Sequence, residues 1–182
     1  KDSRILYHRR DQNVGTIANF NGLVEMCATK YFLTASGHDV WDSQFLQHCY
    51  ELMEKDESVV LAYPQATLIN HRGVEIGLMP GDVDTRKCGP LSRTRKVLWG
   101  VPNGNPGLGL IRTSALKKTG LARKVISNDF VLLHELAWQG AFAHIAEPLW
   151  CRREVRSPGS GVALIRHQNA ILYPEKNGNQ GG

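Results

Sequence analysis

The part of the sequence that most constrains the fold is residues 31–41, which read Tyr-Phe-Leu-Thr-Ala-Ser-Gly-His-Asp-Val-Trp. A short apolar run with aromatic and β-branched members ends in small residues, and Asp39 follows just beyond it. This order predicts a buried strand that carries a polar group to the carboxyl edge of an open α/β sheet, where such folds bind ligands. The alternative, which this stretch alone leaves open, is an ordinary strand-to-helix turn in which Asp39 or Asp42 caps the next helix.

His38 and Asp39 are both candidate metal ligands. One imidazole with one carboxylate suits Mn²⁺ or Mg²⁺ better than a closed zinc site. Zinc is also disfavoured because the four cysteines are widely separated, at Cys27, Cys49, Cys88 and Cys151. Scattered through apolar patterns, they are typical of reduced core cysteines, and we therefore predict a cytoplasmic protein.

The composition indicates a folded protein with one domain. The chain has 182 residues, of which 42% are hydrophobic and 21% charged. This length allows a sizeable core, and these proportions argue against disorder. No apolar run reaches the roughly 18 residues that a membrane-spanning helix needs, so no transmembrane segment is predicted.

The charge favours an anionic partner, because the net charge is +5 and the pI about 9.1. Five basic residues and no acid lie between Arg86 and Lys96, and Arg152, Arg153 and Arg156 form a second group. No nucleic-acid-binding motif accompanies these basic residues, so we do not expect nucleic acid as the partner. A phosphate-bearing small molecule fits the positive charge at least as well as nucleic acid does. The other interpretation of the first group is a solvated loop.

Apolar spacing predicts alternating strands and helices. The predicted strands are residues 4–7, 31–35, 58–63, 66–70, 74–78, 107–112, 141–145 and 148–153, and the predicted helices are residues 16–29, 43–55, 113–119 and 127–139. Residues 79–106 lack periodicity, which predicts a long functional loop.

The order of several short motifs resembles that of family 2 glycosyltransferases with the GT-A fold, over about residues 2–155. The motifs are Asp2-Ser-Arg-Ile-Leu-Tyr, Asn13-x-Gly15-x-x-x-Asn19-Phe-Asn21, Tyr31-Phe32 running to His38-Asp39-Val-Trp41, Gly109-Leu-Ile-Arg112, Asn128-Asp129-x-x-Leu-Leu133, and Gly140-x-Phe ending in Pro148-Leu-Trp-Cys-Arg152-Arg153.

The resemblance implies an α/β fold of the GT-A (Rossmann-like) type, with a mixed sheet and flanking helices. It implies a glycosyltransferase domain over residues 1–156 and a C-terminal tail over residues 157–182 that is partly helical and then flexible. The strands and helix that hold the nucleoside base in the family would precede residue 1. We therefore expect an N-terminally truncated domain.

The implied function is the inverting transfer of a sugar from a nucleotide diphosphate sugar to an acceptor hydroxyl, with Mn²⁺ or Mg²⁺ as cofactor. The acceptor would be a glycan, a lipid-linked molecule or a protein. By resemblance, Asp129 is the catalytic base and Asp39 the retained acid of the metal-binding motif, with His38 beside it. Ser36, Gly37 and His38 stand where the family has further aspartates, so weaker metal binding or other ligands are expected.

The resemblance also assigns the two substrate sides. Asn13, Gly15, Asn19 and Asn21 would line the donor side, and Gly109 and Arg112 the acceptor side. Arg152 and Arg153 would bind donor phosphates, and strand alternation predicts that one of the two reaches the site.

Two alternatives stay open at this point. Asp129 could be a plain acid at a helix start. The whole chain could be a non-catalytic module that binds a glycan or a partner on the same scaffold.

Overall fold

The structure is a computed structural model that describes residues 2–101 and 104–154. Its elements in chain order are α1 (Gly15–Met26), β1 (Tyr31–Phe32), β2 (Val40–Trp41), α2 (Phe45–Lys55), β3 (Val59–Ile69), β4 (Glu75–Leu78), α3 (Pro90–Gly100), a 3₁₀ turn (Asn105–Leu108), β5 (Leu110–Arg112), α4 (Thr113–Leu116), α5 (Asn128–Gln139) and β6 (Ala141–Arg153).

One mixed sheet organises the chain, with strand order β1-β5-β3-β6-β2 and β4 paired to β3. The long strands β3 and β6 run parallel at its centre, from the pair Val59 and Ala141 to the pair Ile69 and Arg153. The other strand pairs are antiparallel. β3 reads as an almost continuous apolar run because both of its faces are covered.

The two faces of the sheet carry separate cores. Val60, Leu61 and Tyr63 of β3 pack with residues of α1, α3 and α5. Val59, Ala62 and Ala66 pack on the opposite face with α2, which contributes the buried side chains of Phe45, Cys49 and Met53. The fold is therefore mixed α/β, with helices flanking a mixed sheet, as predicted, and it is consistent with a GT-A fold.

The predicted strand at residues 4–7 is wrong. Ile5, Leu6 and Tyr7 are each at least 73% exposed, and no strand of the described residues pairs with them. An apolar, β-branched composition favours a strand only where a neighbouring strand can accept its backbone hydrogen bonds.

The prediction of a loop throughout residues 79–106 is also wrong, because α3 lies within it. The helix begins after Gly89 with Pro90 in its first turn, where a missing N–H does no harm. Val97 is its one fully buried residue among those described. Such a narrow buried face leaves almost no apolar periodicity in the sequence.

The remaining predictions differ mainly in the bounds of the elements. The hairpin of β3 and β4 is confirmed, with Gly73 in its turn at φ +83°. β1 is shorter than predicted, and it is a half-buried strand at the edge of the sheet where a buried strand was predicted. β3 and β6 are each one strand where two were predicted, and β6 has an irregular register near Pro148. The predicted tail at residues 157–182 lies outside the described residues.

All four cysteines are free, and burial raises the pKa of the Cys49 thiol to about 12. None of the described helices has the length and apolar character required to cross a bilayer.

Candidate active site

A cavity of about 310 Å³ lies between α1, α5 and residues 104–108. Most of its wall is aliphatic or aromatic, and Asp129 and Arg152 bring the charged side chains. The lining residues are Thr16, Ile17, Phe20, Thr34, Gly104, Gly107, Leu108, Ile111, Ala122, Asn128, Asp129, Leu132, Leu133, Leu136 and Arg152.

Asp129 lies in the first turn of α5, directly after Ser127 and Asn128. The residue is exposed and lines the cavity, so a ligand in the cavity can reach it. The carboxylate packs against Gly104, where a Cβ atom would overlap Asp129 Oδ2. Gly104 therefore allows the turn before β5 to approach the start of α5 this closely.

Arg152 and Arg153 at the end of β6 point to different surroundings. Arg152 lines the cavity and donates from Nη1 to Asn105 Oδ1. Arg153 instead donates from Nε to His38 O at 2.9 Å and from Nη1 to Asn70 O at 2.9 Å. Arg152 therefore shares the cavity with Asp129, and Arg153 does not line it. This agrees with the prediction that successive side chains of a strand point to opposite faces of the sheet.

Asp39 does not line this cavity. Its side chain is 1% exposed. Oδ1 accepts from the Arg153 backbone N–H at 2.9 Å, and Oδ2 accepts from Trp150 Nε1 at 3.2 Å. These two hydrogen bonds connect Asp39, the residue before β2, to β6. Asp39 and Asp129 therefore do not lie in one cavity.

The pair Asp39 and His38 does not fit a divalent ion as arranged. The His38 ring is 54% exposed, and its Nε2 lies 3.7 Å from Asp39 Oδ1. Mg²⁺ and Mn²⁺ take about six ligands, mostly oxygens, whereas the Asp39 carboxylate is buried against the N–H donors of Trp150 and Arg153. Nowhere in residues 2–101 and 104–154 do three or more His, Cys, Asp or Glu side chains cluster as a metal site would need. The metal-ligand role of these two residues stays a prediction.

The N-cap residue of α2 is Gln44, without a side-chain cap hydrogen bond, so the capping alternative does not hold for Asp42. Its Oδ1 accepts from the Gln44 backbone N–H at 2.8 Å, and its carbonyl accepts from Phe45 N at 3.1 Å, just where α2 begins. The polar turn after β1 therefore includes one acid that forms the turn before α2, Asp42, and one that accepts hydrogen bonds from β6, Asp39.

The predicted donor-side residues lie beside the cavity, on the segment that supplies Thr16, Ile17 and Phe20 to its wall. Asn13 Oδ1 accepts from Gly15 N at 2.9 Å, and Gly15 has a φ of +78°. Asn19 is exposed. Asn21 exchanges two 3.0 Å hydrogen bonds with the backbone of Ala122 and so joins α1 to the loop before α5.

Both predicted acceptor-side residues make internal contacts. Arg112 donates from Nη2 to Met53 O and Val59 O, each at 3.1 Å, and its guanidinium lies over the Tyr31 ring. Gly109 is buried against β3. Neither is among the residues that line the cavity, and their acceptor roles stay predictions.

Sequence reasoning missed the cavity residues of the turn before β5. Gly104 contacts Asp129, and Asn105 binds Arg152, yet both fell within the predicted loop. The available signal was the Gly104-Asn-Pro-Gly107 turn composition placed directly before a predicted strand.

Asp39→Asn is expected to lower stability by about 1–3 kcal/mol, because an amide NH₂ would face either the Trp150 or the Arg153 N–H donor. Thermal unfolding measures this loss, with Asp11→Asn on the exposed N-terminal segment as the control. Calorimetry with Mn²⁺ completes the test, and we expect unchanged affinity. An unaltered melting temperature together with at least tenfold weaker Mn²⁺ binding would contradict this expectation and support Asp39 as a metal ligand.

Comparison with known proteins covers the first two thirds of the chain. The chain matches the family described as "Glycosyl transferase family 2" over residues 1–120, from the N-terminal segment through β5 and α4. The match ends before α5, so it does not extend to Asp129 or Arg152. A search of curated proteins found no match.

The matched region is 120 of the 182 residues. It contains the polar turn after β1 and the Gly109–Arg112 motif, and it agrees with the mixed α/β fold. Glycosyl transfer is thus the chemistry that the match supports. The chain belongs to glycosyl transferase family 2.

Proposed function

We propose that the chain transfers a sugar from a nucleotide diphosphate sugar to an acceptor hydroxyl, with inversion, in the cavity that holds Asp129 and Arg152. The observation that carries this proposal is the presence of one exposed carboxylate and one guanidinium in the same mostly apolar cavity. An acid–base group and a phosphate-binding group are the two protein functions that this reaction requires.

Asp129 is the general base in this proposal. Its carboxylate takes the proton of the acceptor hydroxyl while that oxygen forms a bond to the anomeric carbon. The bond from the anomeric carbon to the diphosphate oxygen breaks, and the electron pair leaves with the nucleoside diphosphate. Attack from the face opposite the leaving group inverts the anomeric configuration.

Arg152 stabilises the departing diphosphate. Its planar guanidinium can donate two parallel hydrogen bonds to phosphate oxygens, and the bond to Asn105 orients it at the cavity wall. Because the wall around it is mostly apolar, its charge is less screened than on an open surface.

A divalent ion, which the family resemblance implies, would supply further neutralisation of the diphosphate when bound. Since Asp39 and His38 do not fit such an ion as arranged, no step is assigned to it. In Mg²⁺ sites of this kind, substrate phosphates and water provide many of the ligands.

Arg152→Ala is expected to weaken donor binding at least about tenfold, the scale of one charge-assisted hydrogen-bonded contact. Calorimetry with nucleoside diphosphates measures this affinity. Arg72→Ala, on the exposed turn between β3 and β4, is the matched control. Equal affinities in the wild-type chain and in Arg152→Ala would remove Arg152 from the donor site.

The proposed function is tested by incubating the chain with a panel of UDP-, GDP- and dTDP-sugars and simple glycoside acceptors, with Mn²⁺, with Mg²⁺ or with EDTA. Chromatography detects the released nucleoside diphosphate, and NMR gives the anomeric configuration of the product. We expect release with at least one donor and an inverted product. Glycan binding without any nucleotide release would favour the non-catalytic module instead.

A further inference from the structure

We propose that the outward face of α3 docks on the surface of an anionic lipid bilayer. This face, called the α3 face below, consists of Leu91, Ser92, Arg95, Lys96, Leu98 and Trp99, all of which are exposed. Leu91 is 77% and Trp99 79% exposed, although both are large apolar residues.

The α3 face follows from helical spacing. Leu91, Arg95 and Trp99 succeed one another at intervals of four residues and so form one stripe. Val97 faces the opposite way and is fully buried in the core shared with α5. Arg93, on the side of the helix toward α5, donates from Nη2 to Trp138 O at 3.3 Å and so holds α3 against α5.

The charge of the α3 face is uniformly positive. The helix contains no acid, and no carboxylate of the described residues forms an ion pair with Arg95 or Lys96. A shallow depression of about 540 Å³ is lined by Ser92, Arg95, Lys96 and Trp99. Two cations and a hydroxyl around such a depression suit a lipid phosphate, with the Trp99 ring at the level of the headgroups.

An anionic bilayer explains this combination better than other occupants. Cations interspersed with exposed Leu and Trp on one helix face are typical of helices that lie in the membrane interface. Single-stranded nucleic acid requires successive aromatic residues for base stacking, whereas Trp99 is the one aromatic residue of α3. β4 also exposes two apolar residues, Ile76 and Leu78, but its one charged residue is the acid Glu75. β4 therefore lacks the positive charge that an anionic bilayer attracts.

The position of α3 links this surface to the cavity. Arg93 contacts the last turn of α5 through Ala137 O at 2.8 Å, and the chain after α3 leads to Gly104, which packs against Asp129 at the first turn of α5. The two helices therefore run antiparallel. Docking by the α3 face does not depend on the proposed function.

The test is co-sedimentation of the full chain with vesicles of phosphatidylcholine alone and of phosphatidylcholine with phosphatidylglycerol, at low and high salt. We expect binding to the anionic vesicles only, weakened by salt. Arg95→Glu with Lys96→Glu should lower the partition coefficient on the order of tenfold or more, and Trp99→Ser by about tenfold. The control, Arg72→Glu with Leu78→Ser on the hairpin of β3 and β4, should bind as the wild type does.

These substitutions are at exposed positions. A thermal unfolding measurement on each variant serves as the control for correct folding. A shift of tryptophan emission to shorter wavelength on anionic vesicles, reduced in Trp99→Ser, would place this residue in the interface. The proposal is overturned by absence of vesicle binding, by equal binding to neutral vesicles, or by an equal loss in the hairpin control. Self-association in the ultracentrifuge that Trp99→Ser abolishes would assign the α3 face to a second copy of the chain instead.

Discussion

Asp129→Asn is expected to lower the turnover of sugar transfer by about a hundredfold or more, the scale of losing a general base. Asparagine keeps the size of the side chain but cannot take a proton from the acceptor hydroxyl. In the first turn of α5 it loses only the interaction of a carboxylate with the helix dipole, typically about 0.3–1 kcal/mol, so the fold and the affinity for nucleoside diphosphate should stay close to those of the wild type. Steady-state transfer kinetics and calorimetry measure the two quantities separately.

The matched control for this substitution is Glu57→Gln, which removes a carboxylate from an exposed position between α2 and β3. It should leave turnover unchanged. If Asp129→Asn keeps near-normal turnover, the carboxylate is only an acid at the start of α5. If turnover and thermal stability fall together, the loss reflects the packing of Asp129 against Gly104 and not proton transfer.

Gly109→Ala is expected to destabilise the protein by about 3 kcal/mol, at the upper end for adding a methyl group to a packed core. A Cβ atom at this position would lie 2.5 Å from Ala62 O and 2.8 Å from Tyr63 Cβ. The residue has a φ of −78°, which alanine adopts freely, so the cost is entirely steric. For a chain of this size the melting temperature should fall by roughly 6–12 °C.

Gly37→Ala is the control for Gly109→Ala, because a Cβ atom at residue 37 would meet nothing within 4 Å. Its melting temperature should stay within about 1–2 °C of the wild type. An equally small change in Gly109→Ala would show that β3 and β5 can move apart at no cost. The contacts of Gly109 would then not explain why glycine occupies this position in the Gly109–Arg112 motif.

The central part of the fold could be predicted from the sequence because its pattern is local. The apolar run of β3 and the stripe of Phe45, Cys49 and Met53 in α2 each reflect burial of the element itself. α3 was missed for the complementary reason. It buries so little of its surface that its sequence resembles a solvated basic loop, and only its packing against α5 reveals the helix.

The candidate site could be predicted only in part, since its contacts join distant residues. Asp129 was assigned as the base through the family resemblance, whereas the sequence pattern by itself shows only an acid at a helix start. The position of Asp39 could not be found in this way, because its partners Trp150 and Arg153 lie more than a hundred residues further along the chain. Nothing in the spacing of the polar turn distinguishes a carboxylate that faces a ligand from one that accepts hydrogen bonds from a neighbouring strand.

NMR of the ¹⁵N-labelled chain tests most directly whether glycosyl transfer takes place in the cavity of Asp129 and Arg152. Addition of a nucleotide diphosphate sugar that supports transfer should shift the amide signals of cavity residues such as Thr34, Gly104 and Asp129. Signals of the distant turn between β3 and β4, such as that of Gly73, should not move. Shifts confined to surfaces outside the cavity, with Thr34, Gly104 and Asp129 unchanged at saturation, would contradict transfer in this cavity.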